Sequence, residues 1–418
     1  MATRRKRISV AERRARLARR HHLAPASRAT SVVEVARDLV CLHATDPSTV
    51  YLSAWARLER PEREAVDDAL YRDRTLLRML AMRRTMFVVP VEDAPILHAA
   101  AAVAVARRER QRNEQLVALL GVRHAKRWLR DAEAAALAEL ARRGEATAAE
   151  LARDVPALGR KVRVNVGKKY ESDIGMASRI LIVLAAEGRV VRARPRGTWI
   201  SSQYRWSAIE TWLGRPLPEL AADDARAELA ARWLARFGPG TEADLGWWTG
   251  WPLRDVRAAV QRIGAVEVDL DGVPGLALPD DLERVEAPPP WVALLPSLDA
   301  TTMGWQARDW YLGEHRSALF DTSGNAGPTI WVDGRIVGGW AVRPDGEVVT
   351  RRLEDVGRRA ATAVEAEAAR LTGWLQGIGV VPRFPTPLGK ELLATSARGA
   401  PRPGARRGGA AAARAPRG

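Results

Sequence analysis

The side chains able to do chemistry are few. Six histidines (His21, His22, His43, His98, His124 and His315) show no pair at the i, i+4 spacing that sets two imidazoles beside a metal, and no carboxylate-triad spacing, so no catalytic metal is expected. The single cysteine, Cys41, excludes an intrachain disulfide and any multi-thiolate metal or iron–sulfur site, and reads as a small core residue. A phosphate-cradling G-x-x-x-x-G-K-[ST] loop and a G-x-S-x-G nucleophile elbow are both missing. What remains is His43, the Asp46-Pro47 pair and two basic clusters. Asp46 could offer a carboxylate to a water; as Asp-Pro, its commoner role is a helix N-cap. Lys161, Arg163, Lys168 and Lys169 form one cluster, and Arg189, Arg192, Arg194 and Arg196 surround a Pro-Arg-Gly tip. Charges so spaced on a hairpin can track phosphates and make binding salt-dependent; they also fit a solvated surface.

The elements that must position these residues repeat as helix, helix, then β-hairpin. Ser31 with Glu34 makes a capping box before Val32, Val35, Ala36, Leu39 and Leu42, predicting a helix that ends near His43 and carries Cys41. Asp46-Pro47 restarts a helix through Tyr51, Leu52 and Trp55, a further helical stretch spans Thr75–Arg83, and Thr85–Pro90 reads as a strand. In the second copy Thr147 and Glu150 cap a helix, Met176–Glu187 is a helix stopped by Gly188, and strands at 189–192 and 198–204 flank the basic tip. That is a winged helix-turn-helix signature. The third copy has a helix ending at Phe237, a cap at Thr241–Asp244, a helix from Pro252 to Gly264 and a hairpin about Asp271-Gly272, its wing acidic with Glu267, Asp269 and Asp271. Beyond Trp291 strands take over, with Asp333-Gly334 and Asp345-Gly346 as hairpin turns, and a helix at about 354–376 closes the folded part. The expected fold is mainly α with β: tandem winged helices at 8–130, 131–215 and 216–288, then a small antiparallel β-domain with a C-terminal helix at 289–395.

A chain of 418 residues, 47% apolar, is long enough for several cores. Its formal charge of +16 points first to an anionic partner, yet residues 1–20 contribute +8 and 398–418 +6, leaving +2 for the body. Within the body residues 101–200 sum to +10 and 201–300 to −7, so a basic face belongs to the second copy. Sixty arginines against six lysines, with many Ala and Gly, also reflect a GC-rich coding composition. Residues 1–7 and 396–418 are expected to be disordered basic ends. No apolar run nears the ~18 residues of a membrane span and no apolar stretch follows the basic start, so a cytoplasmic protein with no membrane contact is expected.

Three segments carry a family resemblance: Cys41-Leu-His-Ala-Thr-Asp-Pro-Ser-Thr-Val-Tyr-Leu-Ser-Ala-Trp-Ala-Arg57, Arg83-Arg-Thr-Met-Phe-Val-Val-Pro90, and Ser297-Leu-Asp-Ala-Thr-Thr-Met-Gly-Trp305 with Gly324–Trp340. Together they resemble the AlkZ-like winged-helix DNA-binding family over roughly residues 8–395. The resemblance implies three tandem winged helices plus a β-barrel around a DNA channel, and in the glycosylases of that family a polar–apolar–polar triplet facing the scissile bond. The triplet falls on His43-Ala44-Thr45, where His can hold water or accept a proton and Thr reaches less far than the usual Gln. The implied activity is a monofunctional DNA glycosylase hydrolysing the N-glycosidic bond of alkylated or bulky-adduct bases in double-stranded DNA, acting as a monomer without a cofactor, with His43, Thr45 and Asp46 as catalytic candidates. A cationic alkylated purine is already a good leaving group, so placing water and stabilising oxocarbenium-like charge would suffice. His43 has a second reading, a histidine satisfying carbonyls at a helix end. The function does too: a non-catalytic winged-helix DNA binder or transcriptional regulator, consistent with Thr45.

Overall fold

A computed structural model describes residues 5–397. Of the two ends expected to be disordered, residues 1–4 and 398–418 lie outside the described residues. Residues inside that range are ordered: β1 (Lys6–Arg7) adds in parallel to the acidic hairpin of the third copy, and the last helix, Pro387–Ala397, runs past the expected start of the tail. Charge explains the first departure. Arg5 pairs with Glu267 at 2.5 Å and Arg7 with Asp271 at 2.8 Å, so the basic start neutralises the acidic hairpin.

One order of elements recurs three times. The helix Val32–Asp38, β2 (Leu42–His43), the helix Pro47–Trp55 and the turns Arg63–Asp67 and Asp68–Arg72 lead to a hairpin of β3 (Leu76–Leu80) and β4 (Met86–Pro90). The helix Ala125–Arg143, β5 (Ala146–Thr147) and the helix Ala148–Asp154 come next. A hairpin of β6 (Lys161–Val164) and β7 (Ser172–Gly175) is then inserted before the helix Met176–Ala186, β8 (Val190–Pro195) and β9 (Tyr204–Ala208). Last, the helix Ala222–Phe237, the helices Glu242–Thr249 and Leu253–Arg262, and a hairpin of β10 (Val266–Leu270) and β11 (Val273–Ala277) repeat the pattern. In each copy the short extended piece after the first helix pairs with the last strand: β2 with β4, β5 with β9, and Gly240 with Leu276.

The C-terminal part is a four-stranded antiparallel meander of β12 (Val292–Leu295), β13 (Thr329–Val332), β14 (Arg335–Val342) and β15 (Val348–Arg352). It stays open where a barrel was expected. The helix Gly357–Leu375 packs against both edge strands, β12 and β15, covering the edges that closure would have joined. The Asp333-Gly334 turn works as expected, with φ of 47° and 82°, the left-handed pair of a type I′ hairpin. The main apolar core runs from Leu17 to Leu392 and is shared by the first copy, the third copy and this sheet; a second core, Leu116 to Trp206, belongs to the middle copy. Among the described residues no helix is long and apolar enough to cross a membrane.

Three local expectations fail, each for a non-local reason. The helix capped by Ser31 stops at Asp38, because Val40 takes φ 61° and turns the chain into β2; Cys41 therefore lies in this turn, not on a helix. Residues 76–80 are a strand: Leu-Leu-Arg-Met-Leu is buried on both faces, a pattern strand and helix share, and pairing with β4 decides it. The strand expected at 198–204 begins only at Tyr204, since Trp199 is drawn off the ladder to pack on Tyr51 and Trp374, at 5.2 and 5.7 Å between ring centroids.

Candidate active site

The triplet sits where β2 gives way to the helix Pro47–Trp55, and a buried polar network fixes that helix. Arg57 and Asp299 are fully buried and meet in a bidentate pair, Nη1 to Oδ2 at 2.9 Å and Nη2 to Oδ1 at 2.7 Å. Ser53 Oγ donates to Asp299 Oδ2 at 2.6 Å, and the Thr301 N–H to Oδ1 at 2.9 Å. Arg57 Nε donates to the His21 carbonyl at 3.0 Å. His21 is neutral, pulled down to about 3 by burial and by Arg57 beside it. The Ser297–Trp305 segment thus anchors the helix from one side, with Thr49 Oγ1 donating to the Ser297 carbonyl at 2.8 Å. On the other, the Ala44 N–H donates to the Met86 carbonyl at 2.8 Å.

His43 closes β2 opposite Phe87, whose ring meets the imidazole edge-on at 5.6 Å. The side chain is 8% exposed. Its Nδ1 accepts the Thr45 N–H at 3.4 Å, which leaves the ring proton on Nε2. Nε2 closes no hydrogen bond among the described residues, yet is not sealed from solvent. Burial first, then the positive charge of Arg83, pull the ring down to about 3, so His43 is a neutral dipole at physiological pH. Thr45 is half-buried and its hydroxyl makes no hydrogen bond among the described residues; its carbonyl receives a long contact, 3.5 Å, from Arg383.

Asp46 is brought beside these two but is already occupied. Oδ1 accepts from Ser48 N at 3.1 Å and Ser48 Oγ at 2.7 Å, capping the helix, and Oδ2 accepts the Arg383 N–H at 2.9 Å. Both oxygens thus hold backbone N–H groups, the helix-cap role that the Asp-Pro pair also offered.

The basic residues separate likewise. Lys161, Lys168 and Lys169 are exposed on the β6–β7 hairpin, with no ion pair to them among the described residues. Arg163, on the same hairpin, faces Glu171 and Asp173 at 3.4 and 3.3 Å. Arg194 pairs with Asp67 at 3.0 Å and Arg196 with Glu150 at 2.6 Å. Arg192 turns inward over the rings of Tyr204 and Trp206, its guanidinium carbon 5.2 Å from each, and burial lowers it to about 10. It does not point at the surface as expected. Of the +10 in residues 101–200, part is therefore spent on internal pairs; the hairpin lysines stay exposed and without an ion pair among the described residues, as do Arg107, Arg108, Arg112 and Lys126.

Sequence reasoning missed Arg78, Arg83 and Arg383. Arg78 donates to the carbonyl of Ala44 at 3.2 Å from within β3. Arg83 and Arg84 both take left-handed φ, 52° and 61°, in the turn joining β3 to β4, and the Arg83 guanidinium lies 4.1 Å from the Trp247 ring, which Arg308 also approaches at 4.6 Å. Two adjacent non-glycine residues so placed store strain of about 1–2 kcal/mol each. The adjacency Arg83-Arg84 was visible; the turn was not. His22, Glu34 and Asp38 bring ligand-type atoms within 4.8 Å of one another, but His22 Nε2 lies 2.9 Å from Asp38, Arg236 holds Asp38 at 2.7 Å, and Glu34 accepts from Thr30. The group reads as an ion-pair network.

A helix-rich chain with small sheets and a polar–apolar–polar triplet at a strand–helix junction fits one class. The chain belongs to the AlkZ-like DNA glycosylase family, whose profile matches residues 36–374. It is 28% identical over 201 residues to an interstrand DNA cross-link repair glycosylase of Streptomyces sahachiroi, a stretch that is 46% of this chain and 53% of that one. The match thus spans about half the length of this curated relative. The solved structure of the Streptomyces sahachiroi DNA glycosylase AlkZ matches with a TM-score of 0.67 over 90% of this chain and 99% of that one; at 23% identity the likeness is one of fold.

Proposed function

We propose that the protein is a monofunctional DNA glycosylase that hydrolyses the N-glycosidic bond of alkylated or bulky-adduct bases in duplex DNA, working as a monomer without a cofactor. The observation that carries this reading is the pair of unclaimed polar groups at the triplet, the Nε2–H of a neutral His43 and the hydroxyl of Thr45, held rigidly at the strand–helix junction. A neutral imidazole is a poor acid at pH 7. It suits a reaction whose leaving base is already cationic and needs only a placed water and dipoles facing the developing sugar cation. Six lysines occur in the chain, and none bonds to or stacks on the triplet, which supports hydrolysis by water over attack by an amine.

The three repeats, each a helix, a short extended piece, two helices and a hairpin, support winged helices at 8–130, 131–215 and 216–288, with 289–395 as the β-part. Duplex contact is assigned to Lys161, Lys168 and Lys169, with Arg163, Arg194 and Arg196 free to exchange their exposed carboxylate partners for phosphates. Duplexes bearing N7-alkylguanine or a nitrogen-mustard crosslink, incubated with the protein and then cleaved at abasic sites, test the activity. Excision of at least one adduct is expected; none across several would overturn it. The shorter Thr45 favours a second reading, a non-catalytic duplex binder or regulator. A dimer in solution that prefers one operator over unrelated duplexes would decide for it.

A further inference from the structure

Arg78, 2% exposed, spends only Nη1 on the Ala44 carbonyl. Its Nε and Nη2, the two donors along one edge of the guanidinium, are sealed from solvent without a hydrogen-bond partner. Burial works against the Arg78 charge, but the nearby Tyr204, Tyr71 and Tyr51 phenols outweigh it and raise the group above its ordinary value. On the neighbouring strand β8, Arg192 Nε is orphaned in the same way, and so is the Tyr204 hydroxyl. Both guanidinium carbons stand over the Tyr204 ring, at 4.9 and 5.2 Å. No carboxylate pairs with either arginine among the described residues; Asp67, on the same side, is held by Tyr51 at 2.5 Å and by Arg194. A third cation, Arg383, is close enough to push Arg192 down further, and lies over Thr45 and Asp46.

Buried donors left without hydrogen-bond partners are costly, and a bound anion is one thing that accounts for them. A free Nε/Nη2 edge is the fork that binds an oxyanion bidentately, and lysine cannot replace it. We infer that Arg78, Arg192 and the Tyr204 hydroxyl form a receptor for one phosphodiester of the DNA strand whose target nucleotide lies at His43-Ala44-Thr45, an inference that rests on the duplex-DNA reading above. Solvent reaches this cluster on the side of Arg192, which is half-buried, and of the exposed Arg383, which bonds to Thr45 and Asp46. A strand phosphate that displaces the Arg383 segment reaches those donors, and the same contact fixes the register of the target sugar against the triplet.

The test uses the full chain and a duplex with a tetrahydrofuran abasic analogue, which requires no excision, carrying a single neutral methylphosphonate at successive positions. One position is expected to weaken wild-type binding about tenfold, the worth of one charge-assisted contact. Arg78→Met and Arg192→Met should each bind the unmodified duplex about tenfold more weakly and be indifferent to the methylphosphonate at that position. Arg78→Lys, which keeps the charge and loses the fork, should behave like Arg78→Met and guards against a variant that fails to fold. Variants as sensitive to that position as wild type, or a fall in melting temperature with affinity unchanged, would overturn the receptor. So would stabilisation by inorganic phosphate with no position-dependent methylphosphonate effect, which marks a free-anion site. Failure of wild type to bind any duplex would instead defeat the DNA reading, and the receptor with it.

Discussion

At the scale of single residues, neutrality of His43 makes a sharp demand. If the ring acts as a dipole with its acidity pulled down to about 3, excision of a permanently cationic base should be flat from pH 5 to 8. An acid limb near pH 6.5 in the pH–rate profile would mean that the imidazole titrates during turnover. His43→Ala should lower the single-turnover excision rate by at least about 100-fold, the usual scale for losing such a group, whereas Thr45→Gln should retain it. Asp46 gives the complementary case. Asp46→Asn keeps an acceptor for the cap and should leave excision near wild type, while Asp46→Ala should cost about 1 kcal/mol of unfolding free energy in urea. Loss of excision in Asp46→Asn with an intact melting temperature would restore the carboxylate to the chemistry.

At the scale of elements, the β6–β7 hairpin stands between two helices of the middle repeat and carries three lysines that the protein itself leaves unpaired. Its tip also exposes Val166 and Tyr170, at 70% and 63%. Replacing Lys161, Lys168 and Lys169 together by Ala should reduce the slope of log K against log salt for duplex binding by about 3, near one unit per lost phosphate contact. Melting should stay within about 1 kcal/mol of wild type, because these side chains touch nothing that holds the fold. An unchanged slope would move the duplex elsewhere. Sequence alone marked this lysine cluster as a candidate but not as a hairpin, because each strand is only four residues long and Ser-Asp-Ile-Gly carries a single apolar side chain larger than glycine.

At the scale of the whole molecule, the Arg57–Asp299 pair joins the first repeat to the segment that connects β12 to β13 of the C-terminal sheet. Asp299→Asn leaves a fully buried guanidinium short of its counter-charge and should cost about 3–5 kcal/mol in equilibrium unfolding. Acid should act through His21 and His43. Both are depressed in the fold, to about 3, against about 6.5 when unfolded, so the unfolded chain binds their protons first. The stability they protect is present above pH 6.5 and is lost as pH falls, by up to about 1.4 kcal/mol per pH unit for each histidine. A His43→Gln variant should show a shallower decline of melting temperature between pH 6.5 and 4.5; an identical slope would place the titrating group elsewhere.

What the sequence determined by itself is what short-range chemistry determines. The caps at Ser31, Asp46, Thr147 and Thr241, the Gly188 stop, the Asp-Gly hairpins and the order of the repeats follow from side chains within a few residues of the backbone they serve. The triplet was also readable, through its setting. Only the tertiary structure decided that 76–80 is a strand, that the C-terminal sheet stays open, that His43 is neutral, that Asp46 is engaged by Arg383 from 337 positions away, and that Arg78 and Arg192 each keep buried donors without a hydrogen-bond partner. The reason is common to all five. Desolvation, edge covering and the choice of hydrogen-bond partner depend on which distant segments arrive at a residue, and local sequence carries no record of that.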